Sequence, residues 1–392
     1  MSQRKHPENV FRNLWNDSSA FMHQVAVTGI GILSCLGEGS TAHFEALEGG
    51  PLAPPDVSQF PPYAILPLAT VDLTERVPKK SDQRQMERWQ LMGVHAAGCA
   101  LDDAGLNTAI QSKQVDMNLA TNGGGREIDA DEAILREISS VGSDLNALMM
   151  RKMRPSYFLS QLPNMLAGNI AVVHGVGGAS RTFMGEEEAG VAALSTAVKR
   201  IAHGQSDIIL VGGVQDAECV DRLIGMVIGG IAQSGPASRV ANADRNGLLP
   251  GSLASFLVLE SVAHARARNA SIHAIISGLA TDWSASEGEC LQASYSKLIQ
   301  RLSESCSAPR ILSAACGLPA RTRAEFDALA GLELPVSDIT STDILGHGME
   351  AHFLGLITTA ICKFRHGDAS NMIAAMVGHR AGIAAALLGP AE

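Results

Sequence analysis

The chain has 392 residues, and its 40 acidic and 30 basic side chains give a formal net charge of −10. This acidic balance argues against nucleic acid as a partner, because surfaces that bind phosphates carry a basic excess. Hydrophobic residues make up 46% of the chain and charged residues only 18%. This composition excludes general disorder, and the low charged fraction predicts a large buried core and a subunit interface.

The seven cysteines include no C-x-x-C pair, and an odd number cannot pair fully within one chain. Scattered cysteines of this kind are typical of reduced thiols in a cytoplasmic protein. No apolar run approaches the roughly 20 residues of a membrane-spanning helix, and the N-terminal residues lack the apolar core of a signal peptide. We therefore expect a cytoplasmic protein without a membrane span.

Apolar periodicity and turn residues predict the elements in chain order. Residues 1–22 are polar and irregular and are predicted to form a poorly ordered extension, with the fold beginning at His23. Predicted strands start at His23 and then cover 115–121, 180–183, 207–212, 254–260, 272–279, 310–314, 334–340 and a pair within 371–388. Predicted helices cover 42–47, 83–104, 128–152, 160–174, 188–203, 322–330 and 350–363, and a Pro-rich loop covers 51–68.

This alternation of strands and helices predicts an α/β fold with a mainly buried sheet. Two halves of similar composition, 23–235 and 236–392, indicate a duplication. The segment 128–152 is either a charged exposed helix or one that flanks a dimer interface. The glycine-rich run 123–126 fits neither a dinucleotide-binding nor a P-loop pattern, so nucleotide binding is not predicted.

The order and spacing of five segments match the motifs of a known protein family. They are VAVTGIGILSCLGEG from Val25, RWQLMGVHAAGCALDDAGL from Arg88, NMLAGNIAVVHGVGG from Asn164, IAHGQSDIILVGGVQDAE from Ile201 and ADRNGLLPGSLASFLVLESVAHARARNA from Ala243. Together they resemble the motifs of the β-ketoacyl-ACP synthases, or ketosynthases, of fatty-acid and type II polyketide systems. The resemblance covers nearly the whole chain.

The resemblance implies a thiolase-like fold, a duplicated five-layer αβαβα sandwich that is usually dimeric. It also implies a chemistry. An active ketosynthase takes an acyl chain from acyl carrier protein onto a cysteine and uses two histidines to decarboxylate and condense a malonyl unit. That cysteine lies at a helix N-terminus, where the helix dipole lowers its pKa.

The cysteine and the first histidine of this pattern are both replaced. The family's T-A-C-x-S-G motif falls on residues 185–190 and places Glu187 where the cysteine belongs. A carboxylate is a far weaker acyl acceptor than a thiolate, and its acyl product would be an anhydride. The A-H-G-T-x-T motif falls on 315–319, with Cys316 in place of histidine. Cys316 lacks a base at fixed spacing and is predicted to be a small core residue.

The remaining motifs keep only one catalytic side chain. In S-x-K-x-x-x-G-H, which falls on 341–347, Asp343 replaces the lysine and His347 survives. The glycine-rich loop near the C-terminus places His379 at the family's gating phenylalanine. His379 and Arg380 could line the entrance of the phosphopantetheine arm, although a solvated pair in a loop is the more common arrangement. No ligand spacing indicates a metal site.

Three readings of Glu187 remain open. It can brace a vacated pocket through hydrogen bonds or an ion pair, it can support malonyl decarboxylation, or it can serve a new chemistry. His352 lies five residues after His347, which is poor spacing for one helix face.

The resemblance favours a chain-length factor, a catalytically silent paralogue that forms a heterodimer with an active ketosynthase and shapes its tunnel. A bacterial type II polyketide or aryl polyene system is the expected context. No catalytic residue and no cofactor are expected in this chain, because phosphopantetheine arrives on the acyl carrier protein, which would dock mainly on the partner. The alternatives are a malonyl-ACP decarboxylase or divergent synthase using Glu187 and His347, and a carrier-binding scaffold.

Overall fold

The computed structural model describes residues 23–106, 112–141, 144–153, 157–283 and 288–391. The predicted extension 1–22 lies outside these residues. The strands are β1 Val25–Ser34, β2 Gly37–Glu38, β3 Asp56–Phe60, β4 Tyr63–Ile65, β5 Asp116–Ala120, β6 Ser180–Phe183, β7 Ile208–Gln215, β8 Leu253–Ser261, β9 Ala274–Asp282, β10 Arg310–Ser313, β11 Met372–Val377 and β12 Ile383–Gly389.

The helices begin with α1 Ser40–Leu47, α2 Lys80–Gln83, α3 Arg88–Asp103, α4 Ile128–Val141, α5 Leu145–Lys152, α6 Tyr157–Ser160 and α7 Met165–His174. They continue with α8 Glu187–Ala202, α9 Val220–Ile228, α10 Val262–Ala267, α11 Glu289–Ser303, α12 Pro319–Ala330, α13 Ser341–Leu345 and α14 His352–Arg365. A 3₁₀ turn at Met349–Ala351 precedes α14.

Hydrogen bonds join most strands in the order β10-β11-β12-β9-β1-β8-β7-β5-β6, and β2 pairs with β1. The two sides of this path meet where Val25–Val27 of β1 pair antiparallel with Ala274–Ile276 of β9. On one side, β5, β6 and β7 run parallel to one another. On the other side, β10 and β11 are parallel, and β12 runs antiparallel between β11 and β9.

Strands β1, β7, β8, β11 and β12 are buried on both faces, and their alternate residues belong to different cores. In β8, Leu257 packs in a central cluster and Phe256 in an outer one. In β11, Ala374 faces the same central cluster, whereas Ile373 faces a third cluster on the far side. Helices α8 and α14 fill the centre, α3 and α7 cover one outer face, and α11 and α12 cover the other. These five layers confirm the predicted fold class.

Several predicted elements differ from the observed ones. The predicted helix 128–152 is two helices, α4 and α5. The predicted strand at 334–340 is wrong: Pro335 lacks an N–H donor, and the only bridge in this stretch joins Val336 to Ile311. Helices α9 and α11 were not predicted, and the Pro-rich loop contains the β3–β4 hairpin.

The boundary near residue 235 stays a prediction. Strand β8 follows that boundary in sequence, yet it lies between β1 and β7 in the sheet. Within the described part of the chain, no helix is both long enough and apolar enough to cross a lipid bilayer.

Phe353 tests the central layer, because its side chain is fully buried between the two sides of the sheet. Replacing it with alanine leaves a cavity, so we expect Phe353→Ala to lower the free energy of unfolding by about 3–5 kcal/mol. Phe158→Ala is the matched control, since that side chain is 58% exposed. Urea denaturation of the isolated chain measures both. Equal losses for the two variants would contradict the layer assignment.

Candidate functional site

The start of α8 forms a tight turn that ends in three glutamates. Gly185 has φ 133°, and Glu186 has φ 58° and ψ −137°, a conformation that non-glycine residues rarely adopt. Helix α8 then begins at Glu187, whose side chain is 3% exposed. Carboxylates at this end of a helix complement its dipole. The turn therefore aims Glu187 into the protein interior.

Two histidines close around the Glu187 carboxylate. His347 follows α13, and its Nε2 lies 3.0 Å from Glu187 Oε1. His379 lies in the turn between β11 and β12; its backbone N–H donates to Glu187 Oε1 at 2.9 Å, and its Nδ1 lies 2.7 Å from both carboxylate oxygens. Three N–H groups thus converge on one buried carboxylate.

His379 carries the positive charge of this cluster. Its Nε2 also lies 3.2 Å from Glu186 Oε2, so both ring nitrogens face carboxylates. Burial would lower the pKa of His379, but hydrogen bonds to Glu186 and Glu187 raise it from 6.5 to about 9. Burial would likewise raise the pKa of Glu187, but His347 and His379 hold it well below its ordinary value. The site is a buried imidazolium–carboxylate pair.

His347 and His352 are neutral members of the same cluster. His347 Nδ1 accepts the Met349 N–H at 3.4 Å, so its Nε2 carries the proton that it donates to Glu187. His352 Nε2 donates to the Ala314 carbonyl at 3.0 Å. Burial lowers the pKa of His347, and it lowers that of His352 to about 3. The two rings stack at 4.2 Å because the intervening 3₁₀ turn offsets their five-residue spacing.

The ligand atoms of Glu187, His347 and His379 lie within 4.8 Å of one another, a separation compatible with a shared metal ion. Their hydrogen bonds favour the ion pair instead. A metal on His347 Nε2 would move the ring proton to Nδ1, where the Met349 N–H already points. A metal on His379 Nδ1 would displace the proton shared with Glu187. The expectation that no metal binds here stays a prediction.

A second cluster of this kind joins Glu38, His95 and Cys99. Its contacts are also hydrogen bonds: His95 Nε2 lies 2.9 Å from Glu38 Oε2, and the Cys99 thiol donates to Glu38 Oε1 at 3.1 Å. Burial, together with the hydrogen bond to Glu38, raises the pKa of Cys99 to about 12. The thiol therefore stays protonated, whereas a metal ligand requires the thiolate.

Cys316 and Asp343, which the sequence analysis singled out, make structural contacts outside the cluster of Glu187, His347 and His379. Cys316 is 1% exposed and packs with Leu248 and Met349, and burial raises its pKa to about 12. Asp343 forms a capping box with Thr340 at the start of α13. Its Oδ1 also accepts the Val240 N–H at 2.8 Å.

Arg380 and the glutamates line a cavity of about 420 Å³ that also contacts Asn122 and Met184. Arg380 Nε lies 3.1 Å from Glu186 Oε2, and its side chain is 70% exposed. The two loop residues thus differ in solvent exposure, since His379 is buried. Arg380 is solvent-exposed, whereas His379 is buried against the Glu187 carboxylate, and a role of the two residues at the phosphopantetheine entrance stays a prediction. The pairing spans 192 residues, so the sequence offered no local signal for it.

The raised pKa of His379 predicts a pH dependence of stability. The folded pKa of about 9 exceeds the ordinary 6.5, so this contribution is complete below pH 6.5 and is lost as pH rises through 9. We expect His379→Gln to remove a contribution on the order of 3 kcal/mol at pH 6.5, shrinking towards pH 9. Denaturant unfolding across this range measures it, with His366→Gln as the control. A wild-type–variant difference that does not change with pH would contradict the ion pair.

Burial of Cys316 predicts that it is inert. At pH 8 a thiol with a pKa of about 12 has almost no thiolate, and this thiol is also inaccessible. We expect iodoacetamide to label the exposed Cys290 in the native chain at least 100-fold faster than Cys316. Peptide mass spectrometry over time measures both rates. Rapid native labelling of Cys316 would show an accessible, activated thiol.

Comparison with known proteins adds an independent line of evidence. Residues 22–265 match the family model described as "Beta-ketoacyl synthase, N-terminal domain". A 3-oxoacyl-[acyl-carrier-protein] synthase 2 of Rhizobium meliloti (strain 1021) is 27% identical over 275 residues, or 66% of this chain and 63% of the relative. The match thus spans under two thirds of that protein's length.

Two further similarities extend over more of the chain. The tetracenomycin polyketide synthase ketoacyl synthase beta subunit of Streptomyces glaucescens is 24% identical over 321 residues, or 78% of this chain and 76% of the relative. The solved structure of the ishigamide ketosynthase/chain length factor superposes with a TM-score of 0.78 at 21% identity, covering 94% of this chain and 100% of that one.

At this identity the superposition shows a shared fold, and the family model covers more than half of the chain. The fold, the order of the sequence motifs and the family model agree. The chain belongs to the β-ketoacyl synthase family.

Proposed function

We propose that this chain is a chain-length factor: a non-catalytic subunit that pairs with an active β-ketoacyl synthase and helps to shape the tunnel for a growing polyketide or polyene chain. The observation that carries the proposal is the ion pair of Glu187 with His379 at the N-terminus of α8. In the family pattern this position holds the nucleophilic cysteine.

The geometry leaves Glu187 poorly suited to covalent chemistry. Three N–H groups surround its carboxylate, and its pKa is held well below the ordinary value, so its lone pairs are engaged and weakly basic. Cys316 cannot substitute as a nucleophile, because it is buried and protonated. His347 already donates its Nε2 proton to Glu187, so that proton is not free for a substrate oxygen.

Features of the described surface favour the binding of a partner subunit. Strand β6 is an edge strand, and its outer side has no strand partner among the described residues. Large apolar side chains are also exposed on helices α4 to α7 and on α9, among them Leu135, Met150, Phe158, Val172 and Ile228. Large exposed apolar side chains are typical of interaction surfaces. They suit contact with a ketosynthase subunit of the same fold.

The names of two similar proteins agree with this proposal. One relative is called a ketoacyl synthase beta subunit, and one solved structure pairs a ketosynthase with a chain length factor. The net charge of −10 makes this chain a poor main docking face for an acidic acyl carrier protein, which would dock mainly on the partner. We place this assembly in the cytoplasm.

Co-expression with a type II ketosynthase from the same gene neighbourhood tests the proposal. We expect a stable 1:1 complex by native mass spectrometry, with covalent acyl adducts on the partner and none on this chain. Phe158→Asp should weaken the complex at least tenfold, because it places a charge among exposed apolar side chains. Val57→Asp, on the β3–β4 hairpin, is the matched control; its side chain is 52% exposed.

Activity assays of the isolated chain can contradict the proposal. We expect it neither to elongate malonyl carrier nor to release acetyl carrier from it. Elongation by the chain alone would overturn the proposal. Decarboxylation abolished by Glu187→Ala would instead support a malonyl-carrier decarboxylase, the alternative that uses Glu187 and His347.

A further inference from the structure

Helix α12 lies against the turn that carries His379. This turn, residues 378–382, joins β11 to β12, and the Gly378 N–H closes it by donating to the Gly382 carbonyl at 3.0 Å. Val377 and Ile383 pair on either side of the turn. His379 lies outside this strand pairing, so contacts from other elements fix its orientation.

Two side chains of α12 bind the end of β11. Arg321 and Glu325 are four residues apart and therefore lie on one face of the helix. Glu325 Oε2 accepts the Val377 N–H at 3.1 Å, and Arg321 Nε donates to the Gly378 carbonyl. Both side chains are buried. The helix thus holds the two consecutive residues that precede His379.

The Gly378 carbonyl belongs to the same peptide unit as the His379 N–H. A planar trans peptide points its C=O and its N–H in opposite directions. Here the N–H donates to Glu187 Oε1 at 2.9 Å, while Arg321 binds the oxygen on the other side. A reversed peptide would turn its oxygen towards the Glu187 carboxylate and lose both hydrogen bonds.

Arg321 is an unusual residue for this position, because it is 5% exposed and carries a charge. Within the described part of the chain, its Nη2 makes no hydrogen bond. Burial of a cation whose hydrogen bonds are incomplete is costly, and an uncharged side chain of similar length would fill the same space. The guanidinium is therefore better explained by its contact with Gly378 than by packing.

We infer that Arg321 is a positioning residue for the ion pair of Glu187 and His379. Its hydrogen bond fixes the peptide between Gly378 and His379, and the fixed peptide directs the His379 N–H and imidazole towards Glu187. Without that bond the peptide can rotate, and the ring leaves its carboxylate partners. This inference concerns the geometry of the cluster and does not depend on the proposed function.

Two neutral substitutions of similar shape test the hydrogen bond. Arg321→Gln keeps an N–H donor at the position of Arg Nε, whereas Arg321→Met places a methyl group there. Nitrogen-15 NMR of histidine-labelled protein at pH 8 reports the protonation of His379, and His379→Gln assigns its signals. We expect a doubly protonated ring in the wild type and in Arg321→Gln. We expect a neutral ring in Arg321→Met, because burial lowers the pKa of His379 once the carboxylate contacts are lost.

The backbone amide of His379 gives a second readout from the same label. Its exchange with solvent should be at least tenfold faster in Arg321→Met than in Arg321→Gln. Loss of the Arg321 charge is common to both variants, and by itself it would raise the pKa of His379. The difference between the variants therefore isolates the hydrogen bond.

Two controls separate positioning from general destabilisation. Arg323→Met changes an exposed residue of the same helix, and Leu101→Ala destabilises the outer cluster around α3. His379 should stay doubly protonated in both. The inference is overturned by a doubly protonated His379 in folded Arg321→Met, by equal behaviour of the Met and Gln variants, or by a neutral His379 in Leu101→Ala.

The wild-type protein provides a measurement that requires no variant to fold. The Arg321 Nε proton should exchange with solvent at least 100-fold more slowly than the Nε proton of the exposed Arg323, because it is buried and bonded to the Gly378 carbonyl. Equal exchange rates would overturn the inference. Neither result bears on the proposed function, which is tested by complex formation and by the activity of the isolated chain.

Discussion

A buried carboxylate at a helix N-terminus needs a counter-charge, and this constraint organises the centre of the molecule. Glu187 begins α8 between the two sides of the sheet, where desolvation of an unpaired charge would be very unfavourable. His379 supplies the positive charge from the β11–β12 turn, and His347 adds a neutral donor. One interaction therefore ties the central helix to two loops of the C-terminal side and fixes the protonation of all three groups.

The same interaction carries the proposal that this chain is a non-catalytic subunit. A reactive thiolate at this position needs histidines that are free to act on the substrate, whereas here His347 and His379 are both bound to Glu187. The five layers of the surrounding scaffold are nevertheless present, and several large apolar side chains are exposed on its helices. Under the proposed function, a chain that keeps the fold but has Glu187 in place of the nucleophile helps to shape the tunnel of an active partner.

Much of the fold could be predicted from the sequence, because doubly buried strands such as β7 and β8 are continuous apolar runs and α8 follows a helical pattern. Helix α11 also has a helical pattern in its sequence, because Leu291, Tyr295, Leu298 and Leu302 are buried at helical spacing. Only part of the site could be predicted from the sequence. Motif order placed Glu187, but its contact with His379 depends on how the halves fold together, which no local pattern encodes.

The protonation of His379 tests the central claim most directly. Nitrogen-15 NMR of histidine-labelled protein at pH 7.5 reports which ring nitrogens carry protons. The ion pair predicts that His379 is doubly protonated, whereas His347 carries its proton on Nε2 alone. A neutral His379 in the folded chain at this pH would contradict the account, because Glu187 would then be an uncompensated charge or a protonated acid available for other chemistry.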